Sequence, residues 1–299
     1  MNFLIVIAGP TASGKTQIAL QVAKFFSTEI LSADSRQFYR EMNIGIAKPS
    51  HNELKQIPHH FINNLSVSEN YNAGRFEKEA LKVLNRLFKH HEIAVLAGGS
   101  GLYLHAVIHG FDHLPPRDDQ VRASIHQDVE KHGKEFLLNE LAVKDPEFFK
   151  IIDQENIRRL FRAIEVIRMT GKPYSSLRNK KPEARPFRSI RIALDPGRSE
   201  LYKNINLRVD DMIEQGLEQE VKELIKFRNL PALDTVGYRE FFDYFDQKIS
   251  KDEAINLIKR NTRRYAKRQY TWFRKDKDFT WFHPDQWEEI IAFIQQNIN

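Results

Sequence analysis

The residues with the clearest chemical signature lie near the start of this chain and follow the spacing G-x-x-x-x-G-K-T. They are Gly9, Pro10, Thr11, Ala12, Ser13, Gly14, Lys15 and Thr16. Glycines at this spacing let backbone N–H groups close around phosphate oxygens, and a helix that begins here points its positive end at them. Lys15 adds a positive charge, and the hydroxyl of Thr16 is a suitable ligand for Mg²⁺. The motif therefore predicts a site for a diphosphate or a triphosphate.

The segments on either side of this motif have the patterns that such a loop requires. Residues 3–8 are apolar and rich in β-branched side chains, which predicts a buried strand, and the apolar residues after the motif recur with a helical period. Two more buried strands are predicted at residues 29–33 and 92–97, with a helix between them over residues 75–91. Strands that alternate with helices indicate a parallel sheet with ligands at its carboxyl edge. We therefore predict an α/β fold, a P-loop NTPase-like parallel sheet flanked by helices.

A helical insertion interrupts the predicted sheet. The pair Pro115-Pro116 ends the first α/β region, and only helical patterns follow until a further strand at residues 189–194. We predict a catalytic core formed by residues 1–114 and 187–299, and a helical insertion domain formed by residues 115–186.

Patterns in the remaining segments are simpler. Residues 38–70 show little periodicity and are predicted to be mostly loop. The last third is predicted to be helical, with a long helix that Ser250 caps and that runs to about Arg274. A short strand at residues 279–282 and a closing helix from Trp287 complete the prediction.

The composition excludes several classes of protein. Hydrophobic residues make up 41% of the chain and charged residues 29%, which is typical of a folded globular protein. There are no cysteines, and this excludes disulfides, a catalytic thiol and a cysteine-based zinc site. No apolar stretch approaches the length of a membrane span, and the N-terminal apolar run is too short for a signal sequence. We expect a cytoplasmic enzyme without a membrane partner.

The positive charge is concentrated in two segments. Residues 156–191 contain eleven Lys and Arg against two acids, and residues 251–280 contain ten against four. In the second segment Arg260, Arg264 and Arg268 are spaced four apart, in one row along the predicted helix. This distribution indicates a polyanion larger than a nucleotide, although solvated helix faces would give the same pattern.

Asp34 is the candidate acid near the phosphate loop. It follows the second predicted strand, whereas the third predicted strand ends in glycines. A carboxylate at the end of a strand often helps to position Mg²⁺ in phosphoryl-transfer proteins. On its position alone, Asp34 could equally cap the turn that follows it.

Six motifs along the whole chain resemble those of the tRNA dimethylallyltransferase family. They lie at residues 9–16, 34–37, 47–49, 98–103, 236–239 and 267–274. The resemblance implies transfer of a dimethylallyl group from dimethylallyl diphosphate to N6 of adenosine 37, next to the anticodon of tRNA. It also implies a P-loop core with a helical insertion, and a channel that the base and the diphosphate enter from opposite ends.

The same resemblance implies a role for each residue near the reacting groups. Asp34 would orient the adenine amine and accept its proton, and Lys15 would stabilise the diphosphate as it leaves. Thr11 would contact the substrate, and Arg208 would lie near the diphosphate. The expected cofactor is Mg²⁺ bound by Thr16, and the expected assembly is a monomer.

The family also implies four tRNA-binding segments and two single positions. They are Asp34, Ser35, Arg36 and Gln37; Arg158, Arg159, Leu160, Phe161 and Arg162; Asp234, Thr235, Val236, Gly237, Tyr238 and Arg239; Lys267, Arg268, Gln269, Tyr270, Thr271, Trp272, Phe273 and Arg274; and Ser100 and Arg122. Two of the segments fall within the basic stretches. Ser100 replaces the usual threonine and Arg158 the usual glutamine. The rings of Tyr270, Trp272 and Phe273 suit stacking on bases, or equally a place in the core.

Two other functions fit the same residues. A kinase of a nucleoside or other small molecule would use Arg158, Arg159 and Arg162 to clamp a γ-phosphate, and it would phosphorylate its substrate without any effect of tRNA. A non-catalytic RNA-binding ATPase module would bind RNA and hydrolyse ATP slowly, without forming a modified base.

Overall fold

The computed structural model of the protein describes residues 1–112, 114–178 and 183–298. The chain divides into two compact units. One consists of residues 1–108 together with the chain from residue 185 onward, and the other of residues 109–184. The sequence had placed these boundaries at residues 114/115 and 186/187.

The first unit is built on a six-stranded parallel sheet with the strand order β3-β2-β4-β1-β5-β6. The strands are β1 (Phe3–Ala8), β2 (Ile30–Ser32), β3 (His59–His60), β4 (Ile93–Gly98), β5 (Arg188–Leu194) and β6 (Thr280–Phe282). Strand β1 lies between β4 and β5, and its last residue, Ala8, pairs with Gly98 of β4 and Ala193 of β5. Because all strands run in one direction, the carboxyl ends of β2, β4, β1 and β5 meet at one edge.

Helices follow the strands of this unit. They are α1 (Lys15–Phe25), α2 (His51–Gln56), α3 (Ala73–Leu87) and α4 (Gly101–His109), and, after the second unit, α9 (Arg198–Glu214), α10 (Leu217–Glu223), α11 (Tyr238–Phe245), α12 (Lys251–Phe273) and α13 (Trp287–Ile298). Successive residues of β1 point to opposite faces, so Leu4 and Val6 join one buried cluster while Ile5 and Ile7 join the other. Apolar packing thus covers the sheet on both faces, as expected for parallel strands.

The second unit is helical and has a core of its own. Its helices are α5 (Asp119–His132), α6 (Lys134–Lys144), α7 (Pro146–Ile151) and α8 (Ile157–Thr170). Leu141, Phe148 and Ile164 are among the side chains of this core. Helix α8 ends as expected at Gly171, whose N–H donates to the carbonyl of Ile167 at 2.8 Å.

The prediction of a parallel α/β sheet flanked by helices is confirmed, but residues 38–70 contain more structure than expected. Helix α2 begins with a capping box in which Ser50 and Glu53 bond each other's backbone N–H groups, a local signal that is independent of apolar periodicity. Strand β3 has only two residues, too few for a period, and its place is set by pairing with Ile30 and Leu31. No helix among the described residues is long and apolar enough to cross a membrane.

Candidate active site

The phosphate loop connects β1 to α1 at the carboxyl edge of the sheet. Gly9 has a φ of +149°, and a Cβ at this position would lie 2.8 Å from the hydroxyl oxygen of Ser13. Gly14, which precedes the first residue of α1, has a φ of +84°. Both positions therefore favour glycine, because a side chain would be strained or would fill the loop.

The hydroxyl of Ser13 marks the inside of this loop. Its oxygen is buried and has no hydrogen-bond partner among the described residues. A buried hydroxyl without a partner costs free energy, which a phosphate oxygen in the loop would recover by accepting its hydrogen bond. The loop therefore has the shape and the free donor that a bound phosphate requires.

Two basic side chains lie at the loop, those of Lys15 and Arg208, together with the hydroxyl of Thr11. The Lys15 ammonium donates to the carbonyl oxygen of Pro10 at 2.5 Å. Burial and the neighbouring Arg208 charge lower the pKa of Lys15 to about 7, although Asp34 partly opposes them. Arg208, on α9, donates to the hydroxyl of Thr11 at 3.2 Å, and burial lowers its pKa as well. The structure thus brings together the three residues that were predicted to act on the diphosphate.

Asp34 lies just beyond the end of β2. Its Oδ1 atom accepts the backbone N–H of Arg36 at 3.0 Å, so the carboxylate does cap the following turn. No hydrogen bond to its Oδ2 atom is found in the part of the chain that the structure describes. One oxygen thus holds the turn and the other is available to a substrate, so the capping role and the proposed catalytic role are compatible.

Arg36 links two of the predicted RNA-binding segments. Its guanidinium donates to the carbonyl oxygens of Pro231, Ala232 and Asp234 at 2.9, 3.0 and 3.1 Å. Asp234 also forms an ion pair with Arg239 at 3.3 Å. The turn after β2 and the loop before α11 are therefore neighbours, as a shared surface would require.

Ser100 joins the turn after β2 to the loop after β4. Its hydroxyl oxygen accepts the backbone N–H of Ser35 at 3.0 Å. A threonine would supply the same oxygen, so the replacement of threonine by serine keeps this interaction.

Helix α12 presents the predicted row of arginines. Arg260, Arg264 and Arg268 are all exposed, and no ion pair to any of them is found among the described residues. Arg268 lies over the ring of Tyr265, 5.7 Å from its centroid. The row is thus free to bind an anion on this helix.

Tyr265 is a site residue that the sequence did not indicate. It keeps 38% of its surface exposed, and its hydroxyl interacts with the side chain of Ser100. Burial and the charge of Asp34 raise the pKa of this hydroxyl to about 12. Its place one helical turn before Gln269 is the only local signal that could have suggested it.

Several residues assigned to RNA binding are buried. Leu160, Phe161, Tyr238 and Phe273 have core side chains, and Phe273, only 1% exposed, packs edge-on against Phe279. Tyr270 stacks on Trp281 and donates its hydroxyl proton to Asp195 at 2.5 Å. Trp272, by contrast, is 46% exposed. Within the predicted RNA-binding segments, an RNA can therefore reach only the exposed side chains and not these buried ones.

Two arginines of the second unit are held by a buried carboxylate. Arg122 donates two hydrogen bonds of 3.1 Å to Glu165, and Arg162 donates one of 3.0 Å. Burial alone would raise the pKa of Glu165, but these hydrogen bonds hold it below the usual value. Arg158 and Arg159, at the start of α8, are exposed. The prediction that these arginines contact tRNA stays a prediction.

Comparison with known proteins identifies the family. A family model described as IPP transferase matches residues 37–276. The tRNA dimethylallyltransferase of Cytophaga hutchinsonii is 47% identical over 99% of this chain and 98% of its own length. The crystal structure of the full-length tRNA isopentenylpyrophosphate transferase from Bacillus halodurans aligns with a TM-score of 0.74 and 36% identity, over 99% of this chain and 96% of that one. A eukaryotic dimethylallyltransferase that acts on tRNA aligns with a TM-score of 0.79 and 27% identity, over 96% of this chain and 76% of that one. This chain belongs to the IPP transferase family.

Proposed function

We propose that this protein transfers a dimethylallyl group from dimethylallyl diphosphate to N6 of adenosine 37 in tRNA. The observation that carries the proposal is the pairing of a basic phosphate loop with a carboxylate beside it. Lys15 and Arg208 lie at the loop, and Asp34, which influences the pKa of both, follows the strand next but one in the sheet. The relatives' names support this reading, since they are a tRNA dimethylallyltransferase, a tRNA isopentenylpyrophosphate transferase and a dimethylallyltransferase described as acting on tRNA.

At the loop, the reaction breaks the bond between the allylic carbon and the diphosphate oxygen. Negative charge grows on the diphosphate as this bond lengthens. The ammonium of Lys15, the guanidinium of Arg208 and the N–H groups at the start of α1 are positioned to stabilise that charge. Because pyrophosphate is the leaving group, the site needs no acceptor for a γ-phosphate.

On the opposite side of the allylic carbon from the diphosphate, the adenine amine supplies the electrons for the new bond. N6 attacks the allylic carbon as the diphosphate departs, and the nitrogen loses one proton. The free Oδ2 atom of Asp34 accepts that proton, while Oδ1 stays bonded to the N–H of Arg36 and keeps the carboxylate in place. A positioned base of this kind contributes roughly 10²–10⁴-fold to the rate.

The arginines of α12 would bind the RNA backbone. Arg260, Arg264 and Arg268 are exposed along one row, and Tyr265 connects that row to Ser100 and so to the turn that carries Asp34. A phosphate backbone that follows this row would bring a nucleotide to Asp34. A base removed from its stack could then reach the carboxylate.

The phosphate loop offers one candidate ligand for Mg²⁺. Thr16 supplies a hydroxyl at the start of α1, but the described residues hold no group of three or more His, Cys, Asp or Glu side chains that could bind a metal. Thr16 would hold Mg²⁺ through its hydroxyl, and the ion would neutralise charge on the leaving diphosphate.

A direct test is to incubate unmodified tRNA with dimethylallyl diphosphate and Mg²⁺ and then to analyse its nucleosides by mass. A dimethylallyl adenosine at position 37 supports the proposal. Phosphorylation of a small molecule by ATP, independent of tRNA, would favour a kinase, and ATP hydrolysis without a new nucleoside would favour an RNA-binding ATPase.

A further inference from the structure

Gln269 connects helix α12 to two loops at the active edge of the sheet. Its Oε1 atom accepts the backbone N–H of Thr11 at 2.8 Å, and its Nε2 atom donates to the carbonyl of Gly99 at 2.8 Å. The side chain is only 7% exposed. One amide thus holds both the phosphate loop after β1 and the loop after β4, which are adjacent strands.

The loop after β4 is shaped to receive this side chain. A Cβ at Gly99 would collide with Nε2 of Gln269, and a Cβ at Gly101 would collide with the ring of Trp272. Tyr265, one turn earlier on the helix, interacts with Ser100 in the same loop. One face of α12 is therefore seated on residues 99–101, with Gln269 at its centre.

This geometry assigns Gln269 a role different from the RNA contact that its motif suggests. Both ends of its amide are engaged inside the protein. We propose that Gln269 is a positioning residue, which holds the backbone of Thr11 and thereby sets the phosphate loop for its diphosphate. The Thr11 hydroxyl accepts a hydrogen bond from Arg208. The bond between Gln269 and the Thr11 N–H therefore also positions the residue that Arg208 contacts. The inference rests on the proposed function for the identity of the ligand.

Two substitutions separate this role from simple packing. Gln269→Leu keeps a similar volume but leaves the N–H of Thr11 and the carbonyl of Gly99 without their partner. In Gln269→Glu, a protonated carboxyl reproduces both bonds, with C=O toward Thr11 and O–H toward Gly99. An ionised carboxylate would instead direct an oxygen at the Gly99 carbonyl. The glutamate variant should therefore work when protonated and fail when ionised.

The probe is inorganic pyrophosphate, titrated calorimetrically into the full chain. We expect Gln269→Leu to bind it at least about tenfold more weakly, the factor that 1.4 kcal/mol represents. Hydrogen exchange of the Thr11 amide should rise in parallel. RNA affinity should stay within about twofold, because the exposed arginines of α12 keep their charge. Asn261→Leu is the matched control, since Asn261 is another amide on α12, bonded to Glu240 at 2.7 Å and away from both loops.

The glutamate variant supplies a second readout, its pyrophosphate affinity relative to wild type between pH 5 and 8. Groups that act on the two loops from other elements are Lys15, Arg208, Asp34 and Tyr265. These groups are present in both wild type and Gln269→Glu, so their contribution cancels in the ratio of the two pyrophosphate affinities. We expect a ratio near one at pH 5 and a loss of at least about tenfold at pH 8, as the new carboxyl ionises.

The outcomes separate this inference from the proposed function. Pyrophosphate affinity that stays unchanged in Gln269→Leu, or a ratio for Gln269→Glu that does not vary with pH, overturns the positioning role even if tRNA is modified. The expected losses without tRNA modification would leave the positioning role intact and overturn the transferase. If wild type binds no pyrophosphate, both fail.

Discussion

The guanidinium of Arg208 donates a hydrogen bond of 3.2 Å to the hydroxyl of Thr11, a residue 197 positions earlier in the chain. This contact brings a second cation to a loop that already holds Lys15. The two cations are partly desolvated and repel each other, and the charge of Arg208 favours the neutral form of Lys15. The repulsion between these two charges therefore remains uncompensated until an anion binds at the loop.

Binding of the diphosphate should take up a proton. Without ligand the pKa of Lys15 is about 7, because burial and Arg208 lower it, and the anion will raise it again. Below pH 7 the lysine is protonated in both states, so it contributes no pH dependence to the affinity. Above pH 7 affinity should fall with rising pH by up to one log unit per pH unit, the limit for one proton. Calorimetry in two buffers of different ionisation enthalpy measures the uptake directly, and a proton count of zero at pH 8 would contradict it.

Asp34→Asn should reduce the rate of the chemical step while it preserves the fold. The amide oxygen can still accept the N–H of Arg36 and hold the turn, but the side chain can no longer accept a proton from N6. We expect the single-turnover rate to fall by roughly two to four orders of magnitude, with binding of both substrates retained. Asp119→Asn, at an exposed carboxylate of α5, is the control. A near-normal rate for Asp34→Asn would reduce Asp34 to its capping role.

The arginine row of α12 should determine the salt dependence of RNA binding. Replacing Arg260, Arg264 and Arg268 by Gln removes up to three phosphate contacts, which should flatten the slope of log affinity against log salt by about 2–3 units. Pyrophosphate affinity should hold. The chain offers a matched control in Lys78, Lys82 and Arg86, which are exposed at the same spacing on α3. Equal slopes for the two triple variants would show that the RNA lies elsewhere.

Local patterns predicted the parts of the site that depend on local structure. The phosphate loop has a fixed spacing between a strand and a helix, and Asp34 follows a strand whose carboxyl end must lie at the same edge. Both therefore appear in the sequence as short motifs. The long helix α12 was predicted for the same reason, from its cap at Ser250 and its period.

Contacts between distant residues were not predictable in this way. The bond between Thr11 and Gln269 joins positions 258 residues apart, and no local pattern encodes it. The aromatic motif near the end of α12 divides, for the same reason, into buried Phe273 and exposed Trp272. Which ring faces the core depends on how the helix packs, and that is decided by partners elsewhere in the chain.

Single-turnover transfer to unmodified tRNA, measured as the dimethylallyl adenosine formed at position 37, is the decisive measurement for the transferase. Wild type and Lys15→Ala are compared, with Lys203→Ala, an exposed lysine of α9, as the control. We predict product with wild type and the control, and none with Lys15→Ala at ordinary diphosphate concentrations, while its tRNA affinity barely changes. Absence of the modified nucleoside with wild type would show that the protein is not this transferase. A Lys15→Ala protein that binds diphosphate normally but has lost its tRNA affinity would contradict the assignment of the loop to the diphosphate.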